Sequence, residues 1–203
     1  MRTSLSTYYS STHLNLFFDR RTSPSNDLKK LILLVENADK GLDKSNQKEV
    51  VSMMEMIVKK SQNSRESNID KRKLEGTWDL MYTTEKETLF FYKNGLFGAK
   101  CTAIRQTIDF DNSLINNLIV FDKGREFSVI GNINMGKDQP ARTNFKFSSA
   151  SLKLSDNFKL NVPPVGEGWF DTLYVDSSYR ISYDVRGDWL LSKRNKEVTR
   201  KLR

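Results

Sequence analysis

Tyr174, Asp176 and Arg180 are the residues whose types and spacing best suit holding a polar group. Tyr174 and Asp176 share a face at spacing two, and Arg180 lies across a turn marked by Ser177 and Ser178. A carboxylate and a guanidinium inside a mostly apolar pocket orient the polar end of a ligand. The same two side chains also make a rim salt bridge that fixes a hairpin. Both readings of Asp176 and Arg180 are open.

A second constellation starts at Gly76-Thr77-Trp78. A Gly-x-Trp at the head of a first strand is the opening of lipocalin-type barrels. Gly lets the chain enter the barrel floor closely, and the indole plugs it. An arginine from a late strand, Arg180 or Arg194, is positioned to stack on Trp78. Alternation places Trp78, Leu80 and Tyr82 on one face. Phe127, Phe145, Phe147, Phe158, Trp169 and Tyr174 add apolar surface at strand spacing. Such residues fill a core or line a cavity, and spacing does not separate the two.

Catalytic chemistry has little to work with. The chain has one histidine, His13, outside the segment with strand periodicity, so a catalytic triad or multi-histidine metal site is excluded there. Its one cysteine, Cys101, rules out an intramolecular disulfide and reads as a packed thiol. No phosphate loop, dinucleotide fingerprint or zinc motif is present. Arg186-Gly187-Asp188 reads as a tight hairpin turn rather than an adhesion motif.

The elements that must position these residues fall into four segments. Residues 1–26 contain Arg2, Arg20 and Arg21, one acid (Asp19) and many Ser and Thr, the composition of an organellar transit peptide. Within residues 27–72, Leu28, Leu31, Ile32, Val35 and Ala38 have helical spacing, with Asn26 or Asp27 as N-cap and Gly41 as stop. Val50, Val51, Met54, Ile57 and Val58 mark a second helix, and residues 61–72 read as a linker.

Residues 73–195 alternate apolar and polar, with turn signals at Asn112, Asp122-Lys123-Gly124, Gly136 and Ser155-Asp156-Asn157. Eight or nine strands are expected in roughly 120 residues, the size of a small up-and-down barrel, with a sandwich as the alternative. Residues 84–100 break the alternation and read as a loop or short helix over the barrel mouth. The fold class is therefore mainly β: a lipocalin-like antiparallel up-and-down barrel preceded by two helices. Residues 196–203 form a basic tail. No apolar run approaches the roughly 18 residues that span a bilayer.

The formal net charge of +8, from 33 Lys and Arg against 25 Asp and Glu, favours acidic partners. Lys193, Arg194, Lys196, Arg200, Lys201 and Arg203 suit anionic head groups, each worth about 1 kcal/mol at a charged leaflet. The tail lacks interleaved aromatics, which argues against nucleic acid.

The chain resembles the plastid lipid-associated protein (fibrillin, or plastoglobulin) family over about residues 27–194. The resemblance is densest in Pro163-Pro164-Val165-Gly166-Glu167-Gly168-Trp169-Phe170-Asp171-Thr172-Leu173-Tyr174-Val175-Asp176, running on to Arg180 and Asp184-Val185-Arg186-Gly187-Asp188. Asp39-Lys40-Gly41-Leu42, residues 74–84 and Ile104-Arg105-Gln106-Thr107-Ile108-Asp109 carry it more weakly.

It implies a non-enzymatic protein that needs no cofactor and binds or organises carotenoids, quinones, tocopherol or galactolipids at thylakoids or plastoglobules. The family's suggested ligand-contacting carboxylate falls on Asp176. The expected ligand-binding residues are Trp78, Tyr82, Phe145, Phe147, Tyr174, Asp176 and Arg180. Expected partners are plastid lipids or pigments, an anionic membrane surface and a photosynthetic or biosynthetic complex. A structural membrane-coating or complex-docking protein with a filled barrel and a bilin-lyase-like enzyme are the alternatives.

Overall fold

The apolar period changes from helical to alternating near residue 75, and the backbone changes with it. The computed structural model describes residues 25–63, 69, 71–136, 139–164 and 166–197. Residues 1–24 of the expected transit peptide and most of the basic tail lie outside these residues. Helix α1 spans Asn26–Glu36, a 3-10 turn Asp39–Gly41, and helix α2 Gln47–Gln62. A single-turn helix α3, Lys71–Leu74, occupies the end of the expected linker.

Nine strands follow: β1 Gly76–Thr83, β2 Cys101–Asp109, β3 Leu114–Phe121, β4 Glu126–Met135, β5 Arg142–Ser155, β6 Phe158–Val162, β7 Glu167–Val175, β8 Tyr179–Asp184 and β9 Trp189–Arg194. Helix α4, Lys86–Asn94, interrupts them between β1 and β2.

The strands pair antiparallel in the order β4-β3-β2-β1-β9-β8-β7-β5-β6, and β4 also pairs with β5. That last pairing closes the sheet into a ring of eight strands, the expected antiparallel barrel. Closure removes the sheet edges that invite aggregation. Of the described strands, β6 alone stands outside the ring. The sequence pattern predicts two strands over residues 142–149 and 151–160. Instead β5 runs unbroken through most of both, using its first half to meet β7 and its second to meet β6.

The helices cover the outer face of β1, β8 and β9. Leu28, Leu31 and Val35 of α1 and Val50, Met54, Ile57 and Val58 of α2 bury against Tyr82, Tyr179, Ile181 and Leu191. This is the amphipathic stripe visible in the sequence. The N-cap is Ser25, whose Oγ accepts a hydrogen bond from Leu28 N at 3.2 Å, rather than Asn26 or Asp27. α1 ends at Glu36, and Gly41 acts later than the expected stop, in the 3-10 turn. Its φ is +106°, and a Cβ there would lie 2.1 Å from the Thr83 carbonyl oxygen. Glycine therefore lets the turn rest directly on the end of β1. Lys40 Nζ donates to the Leu80 carbonyl at 2.7 Å and ties the same turn to the barrel.

The barrel floor is a second core of Leu74, Trp78, Ile108, Phe110, Ile115, Ile133 and Phe170. Among the described residues no helix is long and apolar enough to cross a membrane.

Candidate ligand-binding site

Inside the ring lies a cavity of about 520 Å³. Residues opposite one another in an antiparallel ladder point to the same side. The register therefore shows how the lumen is built. One row runs Trp78, Gln106, Asn117, Val129 across β1 to β4. A facing row runs Leu80, Ser192, Arg180 across β1, β9 and β8. Above Gln106 and Asn117 the wall is apolar, with Ile119 and Phe127 paired across β3 and β4 and Phe145 and Phe147 on β5.

Arg180 is the charged group of the inner lumen. It is 2% exposed, and its Nη2 donates to Gln106 Oε1 at 2.6 Å. Gln106 Nε2 in turn donates to Asn117 Oδ1 at 3.0 Å. Arg180 Nε and Nη1 are buried without a hydrogen-bond partner, as are the hydroxyls of Ser182, Thr172 and Thr143. Burial, with the nearby charge of Arg194, pushes Arg180 down to about 9. A cation in an apolar lumen is stabilised by whatever negative or acceptor group can reach it.

Trp78 sits beneath this group. Both arginines expected in the stacking role are present, Arg194 at 4.1 Å and Arg180 at 5.0 Å from the ring centre. Arg194 also donates to the carbonyls of Glu75 and Lys73, and Trp78 Nε1 donates to the Leu74 carbonyl at 2.8 Å. The indole and Arg194 thus seal the floor.

The mouth is framed by α4 and the β8–β9 turn. Phe91 of α4 stacks on Phe127 with ring centres 5.6 Å apart. Arg186 pairs with Glu85, with Glu87 at 3.0 Å and with Asp184 at 3.5 Å. Thr84 Oγ1 donates to Asp188 Oδ1 at 2.7 Å. Burial pushes the Glu85 carboxyl up, against the opposing hydrogen bond from Thr88 and the charge of Arg186. The expected lid is thus a helix pinned at its N-terminus. Arg186-Gly187-Asp188 forms the expected tight turn, closed by Gly187 N donating to the Asp184 carbonyl at 3.0 Å.

The seven expected site residues divide. Phe145, Phe147 and Arg180 line the cavity, and Trp78 forms its floor. Tyr82 and Tyr174 pack outside the ring under the helices. The cause is the same in both strands. A register shift between Leu80 and Tyr82 in β1, and another between Thr172 and Tyr174 in β7, each reverse the alternation. A bulge of one residue turns every later side chain to the other face.

Asp176 does not bridge to Arg180. Its Oδ1 accepts from Ser178 N at 2.7 Å and Tyr179 N at 2.6 Å, and its Oδ2 accepts from Tyr174 Oη at 2.7 Å. Both oxygens are engaged in the β7–β8 turn, at the end of the barrel opposite the mouth. Trp169 faces outward, stacked by Arg142 at 3.6 Å, and Phe158 is half-exposed on β6. Gln106 and Asn117 also line the cavity, and the motifs do not reveal them. The signal in the sequence is a lone amide between Ile104 and Ile108 on an otherwise apolar face.

The PAP_fibrillin family model matches residues 26–165 of the chain. The chain is also similar to the probable plastid-lipid-associated protein 11, chloroplastic, of Arabidopsis thaliana. The two are 37% identical over 171 residues, which cover 82% of this chain and 78% of the relative.

Proposed function

Because the chain belongs to the plastid lipid-associated protein (fibrillin) family, we propose that its barrel binds one hydrophobic plastid molecule at a lipid surface, without catalysing a reaction. The observation that carries this reading is the cavity of about 520 Å³, walled by phenylalanines and ending on Arg180 and Gln106. An apolar pocket with a few convergent polar groups is the usual form of a small-molecule site, and about 300–1,000 Å³ is the usual size. Galactolipids, quinones and carotenoids are the candidate classes. A lumen with this much space is not filled by its own side chains, which weighs against a purely structural coat protein.

A cysteine in the pocket would favour the lyase-type alternative. Cys101 is not among the lining residues, and burial pushes its thiol up, away from the reactive thiolate.

The relative's name, which places it in the chloroplast and with lipid, supports a plastid location; a thylakoid or plastoglobule surface is the site we propose within it. The mouth end supports contact with lipid. Phe90 and Phe97 in the β1–β2 connection, Phe158 at the start of β6 and Val185 in the β8–β9 turn are all exposed there, Phe97 by 72%. Residues 25–63 form the helical cover, α3 packs at the barrel floor, and residues 76–195 form the binding barrel. β9 ends at the floor, and the basic tail that follows it offers charge to an anionic membrane or a protein complex. Protein isolated from its own plastids is expected to carry a bound lipid or pigment, identified by extraction and mass spectrometry. Protein that is consistently empty overturns the reading.

A further inference from the structure

We propose that the molecule held in the lumen is a single-chain amphiphile ending in one carboxylate, with the carboxylate against Arg180 and the chain running past the phenylalanines toward the mouth. This rests on the reading that the lumen binds a hydrophobic molecule, and it departs from the neutral classes named there, none of which carries a carboxylate. The first support is an unbalanced charge. Arg180 is 2% exposed, and Gln106 supplies it with a neutral acceptor only. Its Nε and Nη1 have no partner. A buried cation without a counter-charge is strongly disfavoured, and a bound anion removes that cost.

The carboxylates that line the cavity do not serve. Glu85, Glu87 and Asp184 are held at the mouth by Arg186, and Glu167 pairs with Lys146 at 3.1 Å. The second support is that Trp78 does not need Arg180. Arg194 already stacks on the indole and ties down the carbonyls beneath it. The floor is therefore closed without Arg180, whose other contacts are the Gln106 amide oxygen and the face of Phe170 at 5.5 Å.

The third support is the set of hydroxyls beside it. Ser182 and Thr172 are register partners on β8 and β7, inside the ring, and both are buried with free hydroxyls. Ser182 lines the cavity and supplies a donor to a second carboxylate oxygen, the usual companion of a charge-assisted bond. Arg180, pushed down to about 9, remains a cation at neutral pH and so remains available to an anion. One fixed positive charge matches one negative charge, whereas a neutral carbonyl would leave the cation unbalanced.

The test uses the full chain with cis-parinaric acid and its methyl ester as fluorescent probes. The acid should bind the unaltered protein about tenfold or more tightly than the ester, the scale of one charge-assisted hydrogen bond. Arg180→Met should bring the acid down to the level of the ester. Arg180→Lys should restore part of the difference. Equal binding of acid and ester to the unaltered protein overturns the proposal while leaving lumen binding intact. That comparison decides without any variant, should Arg180→Met fail to fold. A preference for acid that survives in folded Arg180→Met also overturns it. Binding of neither probe overturns the lumen reading as well.

Discussion

Asp176 and Arg180 are four residues apart, and the fold gives them unrelated work. Arg180 turns into the lumen, while Asp176 holds the β7–β8 turn through two backbone amides and the Tyr174 hydroxyl. Asp176→Ala should therefore lower stability by about 1–3 kcal/mol, the cost of unpairing buried or half-buried donors. Urea denaturation reads that loss, and probe affinity per folded molecule should not change. A large loss of affinity with normal stability would return Asp176 to the ligand site.

Cys101 gives a pH-dependent prediction at the same scale. Burial raises its thiol above the ordinary value, with Lys40 opposing. The folded chain thus holds this proton more firmly than the unfolded chain. Its contribution to stability is complete below the unfolded thiol's range, roughly pH 8.5, and is lost as pH rises through the raised folded value. Alkylation at mildly alkaline pH should be slow in the native protein and fast in urea. Equal rates would contradict a packed thiol.

At the scale of elements, the helices are legible because their apolar residues repeat at three and four, and the strands because theirs repeat at two. Helical spacing alone assigns Leu28, Leu31 and Val35 to the buried stripe of α1, and they lie in the core. The bulges in β1 and β7 are not legible. No residue type marks Met81 or Leu173 as a point where alternation reverses, so simple alternation puts Tyr82 and Tyr174 on the wrong side of the wall. It also merges β6 with the second half of β5, because the apolar alternation continues on both sides of the Ser155-Asp156-Asn157 turn signal.

The helical cover is also where the barrel gains much of its buried apolar surface. Leu31 is fully buried between α1 and the barrel. Leu31→Ala should cost about 2–5 kcal/mol, measurable by denaturant titration. A loss well under about 1 kcal/mol would mean that the helices are only loosely applied.

For the molecule as a whole, the cavity mouth and the most exposed aromatics lie at one end, and β9 ends at the other. Apolar side chains at the rim of a lipid-binding barrel give a route for a ligand to move between a lipid layer and the lumen without crossing water. Phe90→Ser with Phe97→Ser should reduce sedimentation with galactolipid vesicles severalfold and leave the melting temperature within a few degrees, since both rings are exposed. Unchanged vesicle binding would move the lipid contact elsewhere, the basic tail being the obvious place. The existence of the barrel can be read from strand count and spacing. Its open lumen cannot, because phenylalanines that fill a core and phenylalanines that line a cavity have the same spacing.

The central claim is that this lumen holds a hydrophobic molecule, and native mass spectrometry of the protein purified from its own plastids tests it most directly. The lumen predicts one bound molecule per chain, absent from Val129→Trp, in which the new indole occupies the cavity wall between Asn117 and the β5 phenylalanines. A spectrum showing only the mass of the bare chain, or the same bound mass in both proteins, would contradict it.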